Sequence, residues 1–378
     1  MKPVYVSKTA VVTGFGDDLA ALWQGLLAGR SAVGPVRRFR TANYLAADAA
    51  CVPWLDQAAP GRAMPLLLER LVSGFGSVPA GTRLLTATTK GGVDGFQAQR
   101  RSGSASLPAA DGHAFCRLVE RCWHVHDPTA MNINAACASS TLAIARGGAM
   151  IAHGVADAVL VVAADLVSEF VFSGFSVLRA LSSDGAHPFD LDRAGLVLGE
   201  GAAAILLTNE RLARDSETGP LGRLLAWGSA NDANHVTAPA RDGCGLIAAI
   251  QRALAMADRG PEAVAAISAH GTGTVYNDAM ELTAIEAIFG DRRLPCHSAK
   301  GAIGHTLGAA GAIEVALGLQ MLAERTMPPT VGLVTPEPRA EGRVSASAQR
   351  IADGCLLSTN SGFGGVNAAL LLAAGGDL

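Results

Sequence analysis

Three short stretches of this chain carry side chains able to do chemistry. The first is Asn132-Ile133-Asn134-Ala135-Ala136-Cys137-Ala138-Ser139-Ser140-Thr141, in which an extended run ends in Ala-Ala-Cys and an alanine-rich helix begins at once. A thiol at that junction sits over the free N–H groups and positive end of the helix, which favour thiolate, the nucleophilic form of cysteine. Alone, such a cysteine is ordinarily a small core residue. The second stretch is Ala269-His270-Gly271-Thr272-Gly273-Thr274-Val275-Tyr276-Asn277-Asp278, and the third is Ala299-Lys300-Gly301-Ala302-Ile303-Gly304-His305-Thr306-Leu307-Gly308-Ala309-Ala310-Gly311. Both histidines follow strands in glycine-rich turns beside hydroxyls. Either one alone reads as a structural residue. Together with Cys137 they form a far more specific signal, a nucleophile with two imidazoles.

The elements that must position these groups follow a repeated rhythm. Strands are expected over residues 4–13, 82–89, 157–164 and 201–208, and again over 221–229, 263–269, 294–299, 355–360 and 366–372. The run 158–164 is apolar throughout, as in a strand buried on both faces. Helices are expected over 19–28, ending at Trp123, after Cys137, and over 245–257, 277–289 and 308–322. Residues 35–80 read as an irregular surface excursion, and residues 97–112 as a polar loop. The helix after Cys137 and the helix from Gly308 are filled with Ala and Gly around the whole circumference, with only Arg146 and Glu314 charged. A helix apolar all round is buried all round. One such helix in each half predicts two related halves, each a sheet, around a shared helical layer. The charged stretch 209–220 marks the boundary, giving halves 1–212 and 213–378.

Composition narrows the class. The chain has 378 residues, 49% of them hydrophobic, 44 of them glycine, and a net charge of −3, which does not suggest a nucleic-acid binder. Seven cysteines without a short secreted spacing fit reduced thiols and a cytoplasmic home. No apolar leader opens the sequence, and the longest apolar runs read as buried strands rather than membrane spans. Thr13-Gly14-Phe15-Gly16 lacks the third glycine of a dinucleotide fingerprint, because Leu19 stands there. His113, Cys116, Cys122, His124 and His126 cluster without a zinc spacing, so no metal is expected.

The three motifs resemble those of the elongating β-ketoacyl-acyl carrier protein synthases of the thiolase superfamily. Leu27-Ala28-Gly29-Arg30-Ser31, Thr89-Lys90-Gly91-Gly92, Val197-Leu198-Gly199-Glu200-Gly201, Asn231-Asp232-Ala233-Asn234-His235 and Gly362-Phe363-Gly364-Gly365-Val366-Asn367 extend the likeness over most of the chain. The resemblance implies an α/β, thiolase-like five-layer αβαβα fold and a decarboxylating Claisen condensation. Cys137 would take an acyl chain from acyl carrier protein. His270 and His305 would stabilise the enolate of malonyl carrier protein. The backbone N–H groups of Cys137 and Phe363 would form the oxyanion hole. Lys300 would act electrostatically with Glu314 as counter-charge, and Thr272 and Thr274 would hold the pantetheine arm. No cofactor is implied beyond phosphopantetheine on the carrier.

The resemblance also implies a homodimer, with a heterodimer containing a chain-length partner as the rival arrangement. Arg37, Arg38, Arg40 and Arg62 are candidates for a carrier-binding patch. The alternative to an autonomous enzyme is a partner-dependent or non-catalytic chain-length subunit. Four departures bear on substrate: Val275 replaces a usual proline, Asn360-Ser361-Gly362-Phe363 is one residue short, and both the turn 182–188 and the excursion 35–115 are short. They leave the chemistry in place and make a specialised polyketide or polyene substrate a fair alternative to a fatty acyl chain.

Overall fold

The computed structural model describes residues 1–102, 112–216 and 218–375. Ten strands form its main sheet: β1 (Tyr5–Val12), β2 (Arg83–Ala87), β3 (Met131–Ile133), β4 (Ala158–Asp165), β5 (Gly201–Thr208), β6 (Gly222–Asn231), β7 (Val264–Ser268), β8 (Cys296–His297), β9 (Cys355–Gly362) and β10 (Val366–Ala374). Their spatial order is β8-β7-β9-β10-β6-β1-β5-β4-β2-β3. Read from the outer edges inward, the two halves have the same order. β3-β2-β4-β5-β1 matches β8-β7-β9-β10-β6 strand for strand, and the pairing senses match too. β2 runs parallel to β3 and β4, and β7 to β8 and β9, while the remaining pairs within each half are antiparallel. The two halves of the sheet meet where Tyr5 and Val6 of β1 pair with Arg223 and Gly222 of β6.

Two helices lie between the halves: α4 (Ser139–Ala152) and α8 (Ala310–Glu324). The alternation of β4 explains its unbroken apolar run. Val159, Val161 and Ala163 face this central layer, while Leu160, Val162 and Ala164 face helices α2 (Ala63–Phe75) and α3 (Gly112–Trp123) on the outside. In the second half Leu356 and Leu370 face inward, and Leu357 and Leu371 pack on α6 (Cys244–Met256) and α7 (Val275–Phe289). The result is the five-layer αβαβα arrangement. Small residues make the central layer possible: a Cβ on Gly148 would lie 2.7 Å from Leu224 and 2.8 Å from Trp227 of β6. The stretch Leu307–Glu324 is long and apolar enough to cross a membrane by length and composition, but 83% of it is buried inside this protein.

The structure corrects several expectations. The excursion 35–80 contains α2, whose Met64, Leu67, Leu68, Leu71 and Phe75 are buried against the first half. Those positions recur with helical spacing, a signal present in the sequence. The expected loop 97–112 begins inside a helix, Val93–Ser102; its continuation over 103–111 lies outside the described residues. The strand expected over 294–299 is only Cys296–His297, because Lys300–Ile303 turns into a short helix. The boundary stretch contains a helical turn, Glu210–Arg214, capped by Asn209. Arg38 is not free for a partner, since it pairs internally with Glu200 and Asp56.

The corrected helix gives a direct stability test. Leu68 is fully buried, so Leu68→Ala should lower unfolding free energy by about 2–5 kcal/mol in a denaturant titration. A surface segment would tolerate the change within about 0.5 kcal/mol.

Candidate active site

Cys137 stands in a sharp turn between β3 and α4. Ala136 occupies the left-handed region at φ 51°, unusual for a residue with a side chain. Ser139 holds this turn: its hydroxyl accepts from Ala135 N at 2.9 Å and donates to Ala136 O at 2.5 Å. His270 lies two residues beyond the end of β7. One carboxylate on α7, that of Glu281, accepts from the backbone N–H of His270 at 2.7 Å and of Gly271 at 2.6 Å. His305 comes from the second half but is held by the first. Its N–H donates to Val197 O at 2.7 Å, and its carbonyl accepts from Gly199 N at 3.0 Å.

These three side chains converge. His305 Nε2 lies 3.0 Å from Cys137 Sγ, and the two imidazole rings stand 5.1 Å apart at 82°. Sγ and one nitrogen of each histidine lie within 4.8 Å of one another. Lys300 Nζ sits 2.6 Å from Glu314 Oε1, both side chains buried. Asn360 Nδ2 donates to the other Glu314 oxygen at 2.7 Å and to His270 Nδ1 at 3.2 Å. Thr272 and Thr274 share a hydroxyl contact of 2.9 Å on the wall of a cavity of about 360 Å³. That cavity holds Cys137, His270 and His305 at its base, with Phe363 on its rim. Phe363 stacks on Phe175 at 5.8 Å between ring centres. A larger hollow of about 650 Å³ opens among residues 77–83, 123–127 and 154–158, at the start of β2 and β4, and holds none of these groups.

Burial sets the charge states. It drives both imidazoles well below their usual range, and the nearby Lys300 ammonium adds to the effect, so both rings are neutral. Burial pushes the Cys137 thiol up to about 12, with Lys300 opposing and Asp165 reinforcing. The resting group is therefore a thiol, not the thiolate expected from a helix terminus. Cys137 lies before the N-cap residue Ala138, and a helix end is worth at most about 2 kcal/mol. Neutral His305 holds its Nε2 within hydrogen-bond reach of that thiol.

All of the expected side chains meet here. The sequence reading missed the groups that hold them. Asp165, at the end of the apolar β4, accepts from Thr88 Oγ1 at 2.9 Å and from Gly308 N at 2.8 Å, tying two turns of the site together. Glu281, Ser139 and Asn360 were also missed. A carboxylate ending a wholly apolar strand was the one legible signal among them.

A duplicated thiolase-like fold with a thiol and two neutral imidazoles at one cavity defines a class of acyltransferase. The family model for the beta-ketoacyl synthase N-terminal domain matches residues 97–213, and that for the C-terminal domain matches 221–334. The chain belongs to the β-ketoacyl synthase family. It is 28% identical, over an alignment 412 positions long, to 3-oxoacyl-[acyl-carrier-protein] synthase 2 of Coxiella burnetii, covering 98% of each chain. The structure of the ishigamide ketosynthase/chain length factor superposes with a TM-score of 0.87 at 28% identity, over 99% of this chain and 100% of that one. A Xenorhabdus doucetiae ketosynthase solved in complex with its chain length factor gives 0.81 at 27%, over 99% and 98%.

Alkylation tests the charge state. With the thiol pushed up to about 12, inactivation by iodoacetamide should rise steadily with pH from about 7 to 10, without levelling near the free-thiol range of about 8.5. A plateau below pH 8 would reveal a preformed thiolate.

Proposed function

We propose that this chain catalyses a decarboxylating condensation between an acyl group held on Cys137 and malonyl carrier protein. The observation that carries the reading is the 3.0 Å approach of His305 Nε2 to Cys137 Sγ, with a second neutral imidazole in the same cavity. In the first half-reaction Cys137 sulfur attacks the acyl thioester as its proton passes to His305. The carrier leaves as a free thiol and the acyl group remains on sulfur. Malonyl carrier protein then enters and loses carbon dioxide. The electron pair of the broken bond becomes an enolate, with negative charge on the thioester oxygen, toward which His270 and His305 direct N–H groups. The enolate carbon attacks the Cys137 thioester and yields a 3-oxoacyl chain two carbons longer, and the expelled cysteine sulfur takes up a proton from the medium by way of His305 to return to the thiol.

The remaining roles follow the same logic. Backbone N–H groups of Cys137 and Phe363 receive the oxyanion, a reading supported by how closely the hairpin abuts the nucleophile turn. A Cβ on Gly362 would lie 3.1 Å from Cys137 N. Lys300 supplies positive potential, with Glu314 as its buried counter-charge. Thr272 and Thr274 bind the pantetheine arm that brings each substrate in, and Phe363 contacts it at the rim. Carrier protein is the partner, and Arg37 and Arg40, both exposed, are candidates for docking it. The functional halves divide at 212/213, and the setting is cytoplasmic.

A homodimer is one arrangement. A heterodimer with a chain-length subunit is the second, favoured by the likeness to the ishigamide ketosynthase/chain length factor and to the Xenorhabdus doucetiae ketosynthase in complex with its chain length factor. The intact Cys137, His270 and His305 set argues that this chain is the catalytic member of either assembly.

Intact-protein mass after incubation with a panel of acyl carrier proteins tests the reading. Wild type should gain one acyl increment, Cys137→Ala none, and malonyl carrier protein should then release a chain two carbons longer. No increment from any donor, alone or with a chain-length partner, would rule the reading out.

A further inference from the structure

The geometry points to Asn360 as a positioning residue that locks His270 in the tautomer bearing its proton on Nε2, and so makes it a standing hydrogen-bond donor to the substrate. This rests on the condensing reading above.

The orientation of the Asn360 amide follows from its neighbours. Glu314 is salt-bridged to Lys300 through Oε1, so its Oε2 offers lone pairs only. The Asn360 atom 2.7 Å away must be the NH2 nitrogen. The amide oxygen accordingly turns to Thr141, whose hydroxyl donates to it. Thr141 reaches that oxygen because residue 311 is glycine: a Cβ there would sit 2.0 Å from Thr141 Oγ1 and 2.9 Å from Asn360 Oδ1.

One amide N–H serves Glu314, and the other points at His270 Nδ1, 3.2 Å away. An N–H cannot donate to another N–H. Nδ1 must present its lone pair, and the proton of the neutral ring is left on Nε2. His305 differs. Among the described residues its Nδ1 is buried with no hydrogen-bond partner, so no side chain fixes its tautomer. The two histidines therefore divide their work: His270 donates throughout, while His305 exchanges a proton with Cys137.

Asn360→Asp preserves shape and replaces the donor with an acceptor, which pulls the His270 proton to Nδ1. Asn360→Ala removes the constraint without reversing it. Long-range 1H–15N correlation on histidine-labelled protein, with His270 assigned by its loss in His270→Ala, should show Nε2–H in wild type and Nδ1–H in Asn360→Asp. Carbon dioxide release from malonyl carrier protein, divided by the rate of Cys137 acylation, should fall about 100-fold in Asn360→Asp and less in Asn360→Ala.

A brace with no effect on tautomer predicts the reverse order, because alanine leaves a cavity. That order, an equal loss of both half-reactions, or Nδ1–H in wild type would overturn the proposal. Wild type that neither loads nor decarboxylates would instead overturn the condensing reading, and the tautomer spectrum would still judge Asn360.

Discussion

Two helices rich in alanine and glycine lie against each other between the two halves, and Cys137 and His305 sit in the turns that lead into them. The close approach of α4 and α8 depends on small residues at the contact positions, among them Gly311, where a Cβ would lie 2.0 Å from Thr141 Oγ1. It brings the nucleophile turn of one half within reach of the histidine turns of the other. Larger residues in that layer would spread the sheets and pull Cys137 away from His305. The packing is unforgiving because protein interiors have almost no free volume.

The same burial governs the chemistry. Burial of Cys137, His270 and His305 disfavours charge on each of them. Both imidazoles stay neutral and the thiol stays protonated. Glu281, pushed up to about 7 by burial and by Asp278, still accepts two backbone N–H groups, so the backbone rather than a cation steadies it. In the proposed reaction, proton transfer over the short contact between Cys137 and His305 replaces a stored thiolate.

Much of this was legible in the residues alone. The apolar run of β4 announced a strand covered on both faces, and the Ala/Gly helices announced the central layer. The three motifs around Cys137, His270 and His305 located the site because each sits where a strand gives way to a turn or helix. What escaped notice was of two kinds. Helix α2 was hidden by irregular neighbours and four arginines, although its Met64, Leu67, Leu68 and Leu71 spacing was helical. Arg38, read as a surface charge, is an internal partner of Glu200. The second kind was not legible at all. Asn360 lies in a strand beside a glycine-rich hairpin, and its importance depends on which atoms of distant elements face its amide. Local sequence does not encode that. The thiol's protonation likewise depends on long-range burial that outweighs a local helix end.

The split origin of the site has a consequence for how the protein comes into being. Cys137 and the His305 it touches are 168 positions apart in the chain. At a synthesis rate of about 5–20 residues per second, the thiol leaves the ribosome roughly 10–30 s before its histidine. During that interval α4 has no α8 to cover it, and its bare apolar flank faces whatever lies near the tunnel exit. The nascent first half thus carries the thiol without its histidine, and its central helix stays uncovered until the second half arrives.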